Sequence, residues 1–300
     1  MTTHNPAAAF YASPAARGVA ALLRGLHRLS PDLGTRVALN LFFTPVPTKW
    51  LARSRDVPRP WVQRRLPFEG GHISVWQRSD IEPGRPKVLL THGWAGDAQQ
   101  MRPLADTLAA AGLEPVLLDL PAHGRSSGWR SNLLQWVRAL FAVTARFGPW
   151  DGVIAHSLGA LAVSHALARG LPARRAALIA LAPPPGQFLR WFAQAIGTDE
   201  GLALRMRGHV ERREGVSLGL FEPAWLGERV VQPTLLVHDR GDLTAPLSGS
   251  ETLLAGLGAG RLHVTESLGH RRLLNDPAVM EQVLGHFLMA TSATPALRVV

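Results

Sequence analysis

Three hundred residues suffice for one large domain with a well-buried core, or for two smaller ones. At 46% hydrophobic and 18% charged the chain reads as globular rather than disordered, and the absence of cysteine excludes disulfides and thiolate metal sites. The net charge of +10 is almost wholly arginine, Lys49 and Lys87 being the only lysines, and it is scattered among alanine, leucine and glycine, so nucleic-acid binding is not expected.

Met1 to Ala9 carries no cationic segment ahead of an apolar stretch, and no apolar run reaches the roughly 18 residues of a spanning helix, so the expectation is a cytoplasmic protein. Ser13-Pro14 reads as an N-cap followed by proline in a first helical turn. Val19, Leu22, Leu23, Leu26 and Leu29 then form an apolar stripe at helical spacing, opposite Arg17, Arg24 and Arg28. Five aliphatics must be buried somewhere, and the expectation is docking on the protein, near Trp50 and Trp61. The alternative is peripheral contact with an anionic membrane surface. Prolines at 45, 47, 58 and 60 predict an irregular connector, so residues 1–60 read as a helical extension.

From about Leu66 strands alternate with helices. His72 to Gln77 alternates weakly, as an edge strand would. Val88–Thr91, Val116–Leu118, Val153–Ala155, Ala177–Leu181, Thr234–Val237 and Leu262–Val264 are predicted buried strands. Between and after them, helices are predicted over Ala98–Ala111, Leu133–Phe147, Leu158–Arg169, Leu247–Leu254 and Pro277–Met289. Short apolar strands alternating with helices indicate an α/β fold, a mostly parallel sheet with helices on both faces. No buried strand is evident between Pro183 and Arg229, where Phe188, Trp191, Phe192, Phe221 and Trp225 cluster and Thr198-Asp199-Glu200 starts a helix. The main domain therefore spans 61–290, with a helical cap inserted at about 183–229 and a tail over 291–300.

Ser157 follows a strand and precedes a helix, in Ala155-His156-Ser157-Leu158-Gly159. A sharp strand-to-helix turn pushes such a serine into reach of substrate, and small residues two positions either side keep the turn free of collisions. A serine hydroxyl needs a base. Of twelve histidines, His270 is best placed, on the loop after the last strand. The base in turn needs an acid to fix its tautomer. Asp242 is favoured, because Gly241 permits the turn that aims it, and Asp239 is the rival. An oxyanion would be held by the backbone N–H groups of Leu158 and Trp94, the latter in the loop His92-Gly93-Trp94-Ala95-Gly96. His92 is read as bracing that loop.

His92-Gly93-Trp94, Asp119-Leu120-Pro121-Ala122-His123-Gly124-Arg125-Ser126, His156-Ser157-Leu158-Gly159, Asp242 and Gly269-His270 together resemble the α/β-hydrolase superfamily, over about three quarters of the chain. Ala122 and Ala155 stand where glycine is usual; neither change removes a catalytic group. The resemblance implies an α/β-hydrolase fold and a serine hydrolase acting on a small-molecule acyl ester. Family epoxide hydrolases and haloalkane dehalogenases use an aspartate at the elbow, and the former also use cap tyrosines, whereas this chain has serine and only Tyr11. What remains is ester, thioester or lactone hydrolysis, with acyl transfer by the same triad or a non-catalytic binding role as alternatives. No metal-ligand motif such as His-Glu-x-x-His occurs, and neither metal nor organic cofactor is expected.

Overall fold

The computed structural model describes residue 5 and residues 14–45 and 48–288. The predicted Ser13 cap, the 291–300 tail and the side chain of Trp50 lie outside the described residues. The first helix, α1 (Pro14–Leu29), is followed by α2 (Pro31–Phe42) and α3 (Thr48–Ser54). Two of these were not anticipated. Ser30 caps α2, its hydroxyl accepting from the Leu33 N–H, with Pro31 at the first position and Asp32 in the first turn. Within the predicted connector, α3 forms between the two proline pairs.

Eight strands form one sheet in the order β1-β2-β4-β3-β5-β6-β7-β8. They are β1 (Trp61–Phe68), β2 (Gly71–Arg78), β3 (Lys87–Thr91), β4 (Glu114–Asp119), β5 (Gly152–His156), β6 (Ala176–Ile179), β7 (Thr234–Asp239) and β8 (Gly260–Thr265). From β4 to β8 the pairing is parallel. The strand over His72–Gln77 is not an edge. It is flanked by β4 and by β1, a strand that starts at Trp61, before the point near Leu66 where strands were expected to begin. The β1–β2 turn uses Glu69-Gly70, both at positive φ, which matches the right-handed twist of a hairpin but lacks the usual Asn-Gly signal. At the other edge, β8 was expected to be buried and is only half-buried to exposed, because among the described residues no strand pairs beyond it.

Helices α4 (Arg102–Ala110), α5 (Leu133–Phe147), α6 (Leu158–Ala168), α10 (Ser248–Gly256) and α12 (Pro277–Leu288) alternate with the strands. Alternate strand residues divide between two cores. Leu89, Val153 and Ala155 join Trp136, Leu140 and Leu161 on one face. Val88, Leu90 and Ile154 join Leu104, Leu108, Val279 and Val283 on the other. Between β6 and β7 the chain is helical: α7 (Pro185–Ala195), α8 (Glu200–Glu214), a 3-10 turn (Leu218–Phe221) and α9 (Pro223–Gly227). The α1–α2 hairpin packs on this segment. Ala20, Leu23, Ala38 and Leu39 share a core with Phe192, Ile196, Leu202 and Met206. Phe42 meets the Phe192 ring edge-on, and Arg24 donates to the Ile196 carbonyl.

The helix packs on the protein as expected, but only part of the stripe is buried. Leu23 is buried and Leu26 half-buried, but Val19, Leu22 and Leu29 lie in solvent. The buried face is rotated toward Ala20, Leu23 and His27, because the close α1–α2 crossing at Gly34, whose missing Cβ would sit 2.5 Å from His27 Cα, fixes the roll of the helix. Nor does Trp61 serve α1. It is buried in the opposite core and donates its indole N–H to Asp106.

Candidate active site

Ser157 sits between β5 and α6 with φ 55° and ψ −121°, a left-handed conformation costly for a residue with a side chain. The surroundings determine it. The Ser157 N–H donates to Ile179 O on the neighbouring strand, and its carbonyl starts α6 by accepting from Ala160. Two glycines allow the close approach. A Cβ at Gly159 would lie 2.3 Å from His92 O, and one at Gly93 would lie 2.8 Å from Ser157 Cβ. Ser157 is nearly enclosed, 8% exposed.

His270 follows β8 at the start of a short helix, α11 (Gly269–Arg272), after Ser267 and Gly269, both at positive φ. The Ser157 hydroxyl donates to His270 Nε2 at 2.9 Å, and His270 Nδ1–H donates to Asp242 Oδ2 at 2.7 Å. The other oxygen of Asp242 accepts from the Thr244 and Ala245 N–H groups. Burial pushes the Asp242 carboxyl up, but the hydrogen bond and charge of His270, with the two backbone donors, outweigh it and hold the group below its ordinary value. As an anion Asp242 can only accept, so Nδ1 carries the proton and Nε2 presents its lone pair to the serine.

The rival carboxylate does other work. Asp239 accepts from Gly241 N–H, Thr265 Oγ1 and Leu268 N–H, tying the end of β7 to the loop that carries His270. Among the described residues it makes no hydrogen bond to the imidazole itself.

Leu158 directly follows the serine, and Trp94 follows Gly93, the glycine that closes on Ser157; neither N–H has an acceptor among the described residues. The Trp94 loop is braced by two neutral histidines. Because Leu120 N–H donates to His92 Nε2, the His92 proton is on Nδ1, which donates to Gly93 O. In the same way Ala95 N–H donates to His123 Nε2, and His123 Nδ1–H donates to Pro121 O. Burial depresses both imidazoles, His123 to about 3. The Trp94 ring stacks on Trp136 and meets His123 edge-on.

His156 adds a contact that the motif reading did not single out. Its Nε2–H donates to the backbone carbonyl of His270 at 2.9 Å, and the two rings lie 4.8 Å apart. Burial and the neighbouring His270 depress its pKa to about 3, so it stays neutral. The only sequence signal was its place immediately before Ser157.

A protein-family model described as the alpha/beta hydrolase fold matches residues 86–229. No curated protein matches the chain in sequence. Among solved structures, Est1E from Butyrivibrio proteoclasticus with ferulic acid bound is 19% identical, with TM-score 0.62 over 77% of this chain and all of that one. A lipase described as putative, from Acinetobacter baumannii, is 15% identical, with TM-score 0.61 over 82% of this chain and 97% of that one. The esterase Pf2001 from Pyrococcus furiosus is 19% identical, with TM-score 0.55 over 77% and 90%. At such identities these likenesses establish the fold.

Proposed function

We propose that this chain, whose fold is that of the α/β hydrolases, is a serine hydrolase cleaving small-molecule carboxylic esters through an acyl-enzyme. The observation that carries this reading is the unbroken hydrogen-bond chain from Ser157 Oγ through His270 to Asp242. A lone serine has too weak a nucleophile; here His270 takes its proton as Oγ attacks the carbonyl carbon. The oxyanion formed is held by the Trp94 and Leu158 N–H groups, each such donor being worth about 10²–10³ in rate. Asp242 stabilises the imidazolium, which then gives its proton to the departing alcohol. Water, deprotonated by the same imidazole, releases the acid and restores the serine. The scheme calls for no metal or organic cofactor.

A panel of p-nitrophenyl esters of increasing acyl length, with thioesters and lactones, tests the reading. Turnover of at least one class is expected. Acylation of the serine without hydrolysis would favour transfer to another acceptor, and no reaction with any substrate or with a fluorophosphonate would leave a binding protein on this fold.

A further inference from the structure

The unexpected roll of α1 leaves an organised face on the outside. Val19, Leu22, Leu26 and Leu29 follow helical spacing along one side of α1. Leu22 is 71% and Leu29 87% exposed, and Leu33 and Val37 on α2 are also exposed. Beside this stripe Gly18, Ala21 and Gly25 are exposed, and a Cβ added at Gly18 or Gly25 would meet nothing within 4 Å. Beyond them stand Arg17 and Arg28, also in solvent. No acidic residue occurs anywhere in α1.

We propose that this face of the α1–α2 hairpin docks on an anionic membrane surface, with the leucines entering the acyl boundary and Arg17 and Arg28 at the phosphates. An aliphatic stripe beside cations, on a helix whose other side is buried against the protein, has the form of an interfacial helix. Two other occupants fit less well. A second copy placed stripe to stripe would bring the arginine flanks of α1 together, with Asp32 on α2 the one carboxylate of the hairpin to pair them. A protein partner would be anchored by buried aromatic or arginine hot spots, whereas the apolar side chains of this face are all aliphatic. Because the hairpin packs on the helical segment between β6 and β7, docking would bring that segment next to the lipid. The proposal does not depend on the chemistry of Ser157, since vesicle binding is measured without turnover.

The test is sedimentation of the full chain with phosphatidylcholine vesicles containing about 30% phosphatidylglycerol. The account expects co-sedimentation, weakened on pure phosphatidylcholine or at about 0.5 M salt. Leu22→Glu with Leu29→Glu should lower partitioning at least about tenfold at unchanged melting temperature, since both side chains already lie in water. Arg17→Gln with Arg28→Gln should remove the preference for anionic over neutral vesicles. No binding to either vesicle, equal partitioning of the leucine variant and the parent, or equal affinity for neutral and anionic vesicles would each overturn the proposal. So would a solution dimer that the same leucine substitutions dissociate without any vesicle binding.

Discussion

Ser157, His270 and Asp242 are each held in place by their neighbours. Asp242 lies on the imidazole while Asp239 lies on the backbone of the loop behind it. Asp242→Asn should therefore lower kcat by orders of magnitude, about 10⁴ where the orienting carboxylate of such a triad is neutralised. Asp239→Asn should act mainly on stability, and kcat compared at equal folded fraction decides between them. A larger kcat loss for Asp239→Asn would move the acid's role to that residue. His156 holds the carbonyl of His270 rather than its ring nitrogens. Replacing it with phenylalanine removes that donor and lets the base drift, so kcat should fall roughly tenfold to a hundredfold with KM little changed. An unchanged kcat would show that the loop is held well enough by Asp239 alone.

At the scale of elements, the strands from β3 onward and the helices that alternate with them outside the segment between β6 and β7 were legible because they are apolar and bounded by turn residues. Leu133–Phe147 could be read to its last residue, from Asn132 at its N-cap to Gly148 just beyond its end. The N-terminal third was harder. β1 exposes Val62, Arg64, Arg65 and Pro67, as an edge strand must, and so lacks the apolar run by which buried strands are recognised. The β2 residues are covered on both faces, yet the strand carries Ser74, whose N–H and hydroxyl are satisfied by Ser126 and Gln63, partners that sequence cannot supply. In α1 the periodicity located the helix but not its buried side, because Ala20 and Gly34 allow a close crossing that favours small residues over the leucines. Leu23→Asp should accordingly lower the melting temperature markedly, placing a charge in the core shared with Phe192, whereas Leu22→Asp should leave it unchanged. Thermal denaturation of the pair checks the roll of the helix, and equal effects would contradict it. Of the site, the elbow, the histidine and the favoured acid were legible as motifs. The His156 clamp was not, since it depends on how the loop after β8 folds back over β5.

The whole molecule keeps several imidazoles neutral in its interior, and this sets a pH dependence of stability. His123 and His156 have folded pKa values of about 3, below the ordinary 6.5, because both are buried. Between those values the unfolded chain binds more protons than the folded one, so their stabilisation is complete above about pH 6.5 and is lost as pH falls toward 3. At about pH 5 each costs about 2 kcal/mol, and the melting temperature should be several degrees below its value near pH 7.5. A flat profile over that range would contradict the burial of these rings. Only the complete fold assembles the site, which draws on the loops after β3, β5, β7 and β8. Its central claim is the nucleophilic Ser157, and the most direct measurement is mass spectrometry of the full chain after reaction with a fluorophosphonate. The account predicts one adduct per molecule, located on the peptide bearing Ser157, with labelling and ester hydrolysis both abolished in Ser157→Ala; labelling elsewhere, or a Ser157→Ala variant that hydrolyses esters at the parent's rate, would contradict it.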